Sequence, residues 1–117
     1  MRSVTKTWAP VISACLLASA STLLVQAAPA QSAPCPDVEL IFARGTSEAP
    51  GIGRVGDALN AQLASQLGGR SIGVYAVNYP ATYDFLAAAD GALDATNHMA
   101  SMAGRCPGTR FILGGYS

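Results

Sequence analysis

Thr109-Arg110-Phe111-Ile112-Leu113-Gly114-Gly115-Tyr116-Ser117, the last nine residues, read as a short apolar strand, two glycines, an aromatic ring and a hydroxyl. This is the left half of a Gly-x-Ser-x-Gly elbow, the strained strand-to-helix turn that pushes a serine Oγ out at the carboxyl end of a sheet. The right half of the elbow is not among the 117 residues.

Two earlier runs rich in β-branched and aromatic residues, 38–43 and 72–77, read as strands beside 110–113. None alternates cleanly between polar and apolar, which suits strands covered on both faces of a parallel sheet. Between the first two, residues 55–67 place Val55, Leu59, Leu63 and Leu67 along one helical face, and Gly68-Gly69 ends the helix. Residues 85–103 form a second, alanine-rich helix with Leu86, Leu93, Met99 and Met102 as its larger apolar groups. Interior Gly91, costing about 1 kcal/mol against alanine, allows a start as late as Asp90. Pro107-Gly108 turns the chain into the last strand. Strand, helix, strand, helix, strand is the order of a parallel α/β layer fold. With three strands it is half of such a sheet, and its outer edges lack partners.

A chain of 117 residues allows one domain. Residues 1–30 read as an export signal: Arg2 and Lys6 precede an apolar run over 11–25, and Ala28-Pro29-Ala30 offers a cleavage site, with Ala33 as the rival. The run falls short of the ~18–20 apolar residues of a spanning helix. Ile12-Ser13-Ala14-Cys15 also resembles a lipobox, but with too little apolar sequence before it and too much after. The exported part, 31–117, keeps all seven acidic residues, five of the seven basic ones and no lysine. Without a basic stripe, nucleic acid is excluded as a partner. Its two cysteines, Cys35 and Cys106, are expected to form a disulfide. Closing that loop restricts the unfolded chain by about 4.4 kcal/mol in the loop-entropy account.

Gly51-Ile52-Gly53-Arg54-Val55-Gly56 is a literal Gly-x-Gly-x-x-Gly, yet it does not directly follow a strand, and no carboxylate ends the second strand to hold a ribose. It reads as a flexible turn into a helix. Arg44-Gly45-Thr46-Ser47-Glu48 is more informative, because it follows the first strand at the sheet's carboxyl edge. With strand order 2-1-3, this loop and the turn at Ser117 face each other across the switch point where open α/β sheets bind ligands. Thr46 then offers an N–H and a hydroxyl beside Ser117, as an oxyanion hole requires. The competing reading is a polar turn in which Thr46 or Ser47 caps a helix.

The run Cys35-Pro36-Asp37-Val38-Glu39-Leu40-Ile41-Phe42-Ala43-Arg44-Gly45-Thr46-Ser47-Glu48, with Cys106-Pro107 and Gly114-Gly115-Tyr116-Ser117 at the right distance, resembles the cutinase family. The resemblance spans Cys35 to Ser117. It implies a three-layer α/β-hydrolase fold with a central parallel sheet, here cut after the third strand, and a small exported serine esterase. Ser117 matches the nucleophile, Thr46 the oxyanion-hole hydroxyl residue, and Cys35 and Cys106 the family disulfide. Phe111 stands where the family more often has an aliphatic residue. The family's second oxyanion amide and its triad aspartate and histidine follow the nucleophile. His98, the only histidine, precedes Ser117 and is expected to face solvent from a helix. Asp84, Asp90 and Asp94 read as helix-start or surface carboxylates.

The parent protein is therefore expected to be a secreted carboxylic-ester hydrolase acting through an acyl-enzyme. It would use no metal or organic cofactor, act on an ester substrate (polyester, lipid or short acyl ester), have no membrane span and be a monomer when complete. Residues 1–117 alone are expected to be an inactive fragment, since Ser117 has no base to take its proton. The alternative is a catalytically dead secreted binding or structural protein that keeps the fold.

Overall fold

The structure, a computed structural model, describes residues 9–10 and 34–117; the expected export signal and its cleavage site lie outside them, apart from residues 9–10. The described fold belongs to the unit formed by residues 32–117. Its elements are β1 (Val38–Ala43), α1 (Gly53–Gln66), β2 (Ile72–Ala76), a 3-10 turn (Phe85–Ala87), α2 (Ala88–Arg105) and β3 (Arg110–Gly115). The strands form one parallel sheet, as expected, and its order is β2-β1-β3. Val38 lies opposite Ile72 and Arg110, and Ala43 lies opposite Gly115.

β1 is the central strand, and its first five residues are buried. Period-two alternation sends its side chains to two different helices. Leu40 and Phe42 join Ile52 in a core against which Leu59 and Leu63 of α1 pack, with Ala76 and Ile112 from the flanking strands. Glu39 and Ile41 face the other way: Glu39 bonds to His98 of α2, and Ile41 lines a cavity with Ala88, Ala92 and Ala95 of the same helix. The result is three layers, α1 on one face of the sheet and α2 on the other. No helix among the described residues is long and apolar enough to cross a membrane.

Several boundaries differ from expectation. α1 starts two residues early and puts Leu59 and Leu63 into the core, while Val55 is left 37% exposed. Gly56, one residue on, takes the buried place instead. β3 runs through Gly115 rather than ending at Leu113, because Gly114 and Gly115 continue the ladder beside Phe42 and Ala43. The second helix opens as a 3-10 turn in which Asp84 accepts a hydrogen bond from the Leu86 N–H. Leu86 and Leu93 turn outward, and Met102 is the large apolar residue of α2 that is buried. Gly91 has a packing reason, since a Cβ there would meet the Tyr79 ring at 3.1 Å.

The expected bridge between Cys35 and Cys106 is present, with Cα atoms 5.5 Å apart. It joins the residues just before β1 to the end of α2, at the amino end of the sheet.

Candidate active site

At the opposite, carboxyl end of the sheet, the parallel register brings two chain segments together. Ala43 and Gly115 are partners at the last rung, and the Tyr116 N–H donates to the Ala43 carbonyl at 3.1 Å. Just beyond that rung, Thr46 of the loop after β1 and Ser117, the residue after Tyr116, meet. The Thr46 N–H lies 3.0 Å and the Thr46 Oγ1 3.1 Å from the Ser117 carbonyl oxygen. Both donors of one residue thus converge on one point. Ser117 takes φ +22°, on the left-handed side that a tight strand-to-helix turn demands. Thr46 does not cap a helix, because α1 begins only at Gly53.

The loop carrying Thr46 is held by groups that the sequence reading left unassigned. Arg44 is 7% exposed, and its guanidinium donates to three carbonyls: Nε to Glu48 at 2.9 Å, and Nη2 to Tyr79 at 2.9 Å and Pro80 at 3.5 Å. Its cation sits 5.4 Å from the centre of the Tyr79 ring. The Tyr79 hydroxyl donates in return to the Arg44 carbonyl. Ser47, at φ +65°, donates its N–H to Ala81 at 2.7 Å, a second tie to the segment after β2. An arginine placed directly after a buried strand was the available signal, since such a group must find acceptors.

Glu48 explains the glycine motif. Its carboxylate accepts from the Gly45 N–H at 2.6 Å and from the Arg54 N–H at 3.2 Å, in the first turn of α1. Gly53, at φ +70°, has no Cβ because the Glu48 carboxylate occupies that space. The helix N-terminus, where a dinucleotide phosphate would sit, is filled by the chain's own anion.

A cavity of about 90 Å³ lies beside Ser117, lined by Thr46, Tyr79, Ala81, Thr82 and Phe85. Asp84 reaches it as well, with one carboxylate oxygen engaged at the start of the 3-10 turn. No histidine lines this cavity. Tyr83, Phe85 and Leu86, all more than 70% exposed, present apolar surface along this segment.

His98 is not the solvent-facing residue expected. Its ring stacks on Tyr75 with centroids 3.5 Å apart and planes 9° from parallel, and its Nε2 is hydrogen-bonded to the Glu39 carboxylate. Glu39 is buried and needs that partner. Four residues separate Glu39 from Ala43 along β1, about 13 Å of strand, so the pair sits far from Ser117. Asp94 is likewise no free surface carboxylate. It accepts from the Tyr75 hydroxyl at 3.0 Å and the Asn78 N–H at 2.8 Å. Partial burial, then the hydrogen bond to Asp94 and the charges of Asp94 and Glu39, hold the Tyr75 phenol above its ordinary range. Asp90 stands in the first turn of α2, as a helix-start acid should.

Comparison with known proteins gives a consistent picture. The family model described as Cutinase matches residues 34–117. A Mycobacterium tuberculosis protein described as phospholipase Culp4 is 57% identical over 105 residues, covering 89% of this chain and 46% of that one. A carboxylesterase Culp1 from the same species is 51% identical over 104 residues, covering 84% of this chain and 48% of the relative. The chain thus spans about half the length of these relatives. Among solved structures, a Trichoderma reesei cutinase in complex with a C11Y4 phosphonate inhibitor is 36% identical with a TM-score of 0.61, over 72% of this chain and 40% of that one. A cutinase-like protein from Cryptococcus sp. is 32% identical, also at 0.61, over 75% and 42%.

Proposed function

The chain belongs to the cutinase family, and from that premise we propose that it carries the nucleophile half of an exported carboxylic-ester hydrolase. Ser117 Oγ attacks the acyl carbon of an ester. The Thr46 N–H and hydroxyl donate to the oxygen on which negative charge develops, and the alcohol leaves to give an acyl-enzyme that water hydrolyses. The observation that carries this reading is the meeting of Thr46 and Ser117, the two donors of the one lying at the main chain of the other, on the carboxyl edge of a 2-1-3 parallel sheet. The base that takes the serine proton, and the carboxylate orienting it, are assigned to the part of the family's length that these residues do not span.

The substrate is an ester with an apolar acyl or alcohol part. The supporting observation is the lining of the cavity beside Ser117, mostly methyl groups and aromatic faces, with Tyr83 and Leu86 on the same segment. No basic surface recommends nucleic acid as a partner, and the complete protein is taken to be a monomer.

The test is hydrolysis of p-nitrophenyl esters by the product of the whole reading frame, with Ser117→Ala beside it. Turnover is expected, with a loss of at least about 10³-fold in the variant. Equal turnover by Ser117→Ala would refute the assignment. The purified 1–117 polypeptide is expected to show no ester turnover above background, because His98 is bound to Glu39 and no histidine lines the cavity. Serine-dependent turnover by that polypeptide would overturn this second expectation alone.

A further inference from the structure

We infer that Arg44 and Tyr79 are positioning residues that fix the aim of the Thr46 donors, an inference resting on the hydrolase reading above. Thr46 lies in the nine-residue loop between β1 and α1, where little burial holds it directly: Ser47 is exposed, and Thr46 and Glu48 are only partly covered. The loop must hold its place for Thr46 N and Oγ1 to reach Ser117, and the bonds that anchor it to the neighbouring segment after β2 come chiefly from this pair. The Arg44 fork takes one carbonyl on its own loop and two on the segment after β2. The Tyr79 hydroxyl returns a bond to the Arg44 carbonyl, closing a ring of contacts between residues 35 positions apart.

The choice of acceptors supports this. A buried guanidinium is costly unless its donors are used, and here all three acceptors are backbone carbonyls, which a carboxylate partner would have left free. Glu48 is adjacent in the loop, yet its carboxylate is turned to Gly45 and Arg54. Arg44 therefore works as a backbone clamp. Neither Arg44 nor Tyr79 Oη reaches the Ser117 carbonyl that Thr46 contacts, so their effect on the reaction passes through Thr46.

The decisive experiment compares Arg44→Lys and Tyr79→Phe with the unchanged protein as the whole gene product. It measures kcat per phosphonate-titrated site, KM, and hydrogen exchange of individual amides. Lysine keeps the charge and loses the fork, and phenylalanine keeps the ring and loses the hydroxyl. Both variants are expected to lose about 10- to 100-fold in kcat per site with KM within about threefold, as for a small misplacement of donors. The Thr46 and Ser47 amides should exchange faster while those of Leu40, Ile41 and Phe42 stay protected. The inference is overturned if kcat per site is unchanged, or if loop and β1 amides accelerate together, which marks a merely structural role. An unchanged protein that neither turns over esters nor reacts with the phosphonate sinks the hydrolase reading instead. The exchange pattern then still decides whether the two residues hold the loop.

Discussion

Tyr75 shows how a single side chain can tie two layers together. Its ring stacks on His98 and its hydroxyl donates to Asp94, so one residue of β2 is fastened to α2 twice. The phenol is held above its ordinary range, chiefly by burial. For a group whose folded value is raised, the stabilising contribution is complete below the unfolded value and is lost as pH rises through the folded one. Stability should therefore fall between about pH 10 and the raised value. Tyr75→Phe should flatten that alkaline limb at the cost of one hydrogen bond, about 1 kcal/mol near neutral pH. Thermal melts from pH 8 to 11 check this; an equally steep limb in the variant would count against it. None of this was legible beforehand. His98 and Asp94 stand in a polar, alanine-rich helix that reads as exposed, and their partners, Glu39 and Tyr75, come from strands 59 and 19 residues away in sequence.

At the level of elements, the pattern of apolar residues was enough for type and order but not for ends. β1 declared itself by its run of apolar residues, interrupted only at Glu39, and α1 by Leu59 and Leu63 four residues apart. The ends shifted where glycine does work that a hydrophobicity pattern cannot register. Gly56 is buried because Phe42 Cδ1 and Ile52 Cβ would each stand 2.8 Å from a Cβ there. Gly104 of α2 has nothing within 4 Å of the same position. The two glycines should therefore respond oppositely to alanine. Gly104→Ala should stabilise by about 0.5–1 kcal/mol through helix propensity, whereas Gly56→Ala should destabilise by about 1–3 kcal/mol through overpacking. Urea denaturation of both variants tests the pair, and a shift of the same sign in both would contradict the packing described here. Thr46 and Ser117 were legible as neighbours because parallel topology alone places both loops at one edge. The partners of Arg44, Tyr79 and Glu48 were not, since their bonds run to backbone atoms that carry no residue-specific signal, and the position of Arg44 after a buried strand says only that it must find acceptors.

For the molecule as a whole, the candidate site and the covalent restraint occupy opposite ends of the sheet: Thr46 and Ser117 at the carboxyl edge, Cys35–Cys106 at the amino edge. Separate mutation of the two ends should therefore give nearly additive effects. Replacing both cysteines by serine should cost about 2–5 kcal/mol of stability. It should leave kcat per titrated site in the whole gene product within about twofold, measured with the p-nitrophenyl ester. A tenfold fall in kcat per site would show that the bridge reaches the carboxyl edge after all. The bridge also determines how the fold bears tension. Cys35 lies three residues ahead of β1, so a pull on the polypeptide upstream of it would otherwise load the rungs of the central strand first. With the sulfurs joined, that load passes into the end of α2 and the start of β3, and β1 is shielded from it. A protein handled by its amino end, as during passage through a narrow channel or while tethered at a surface, would keep its innermost strand until the bridge itself was reduced.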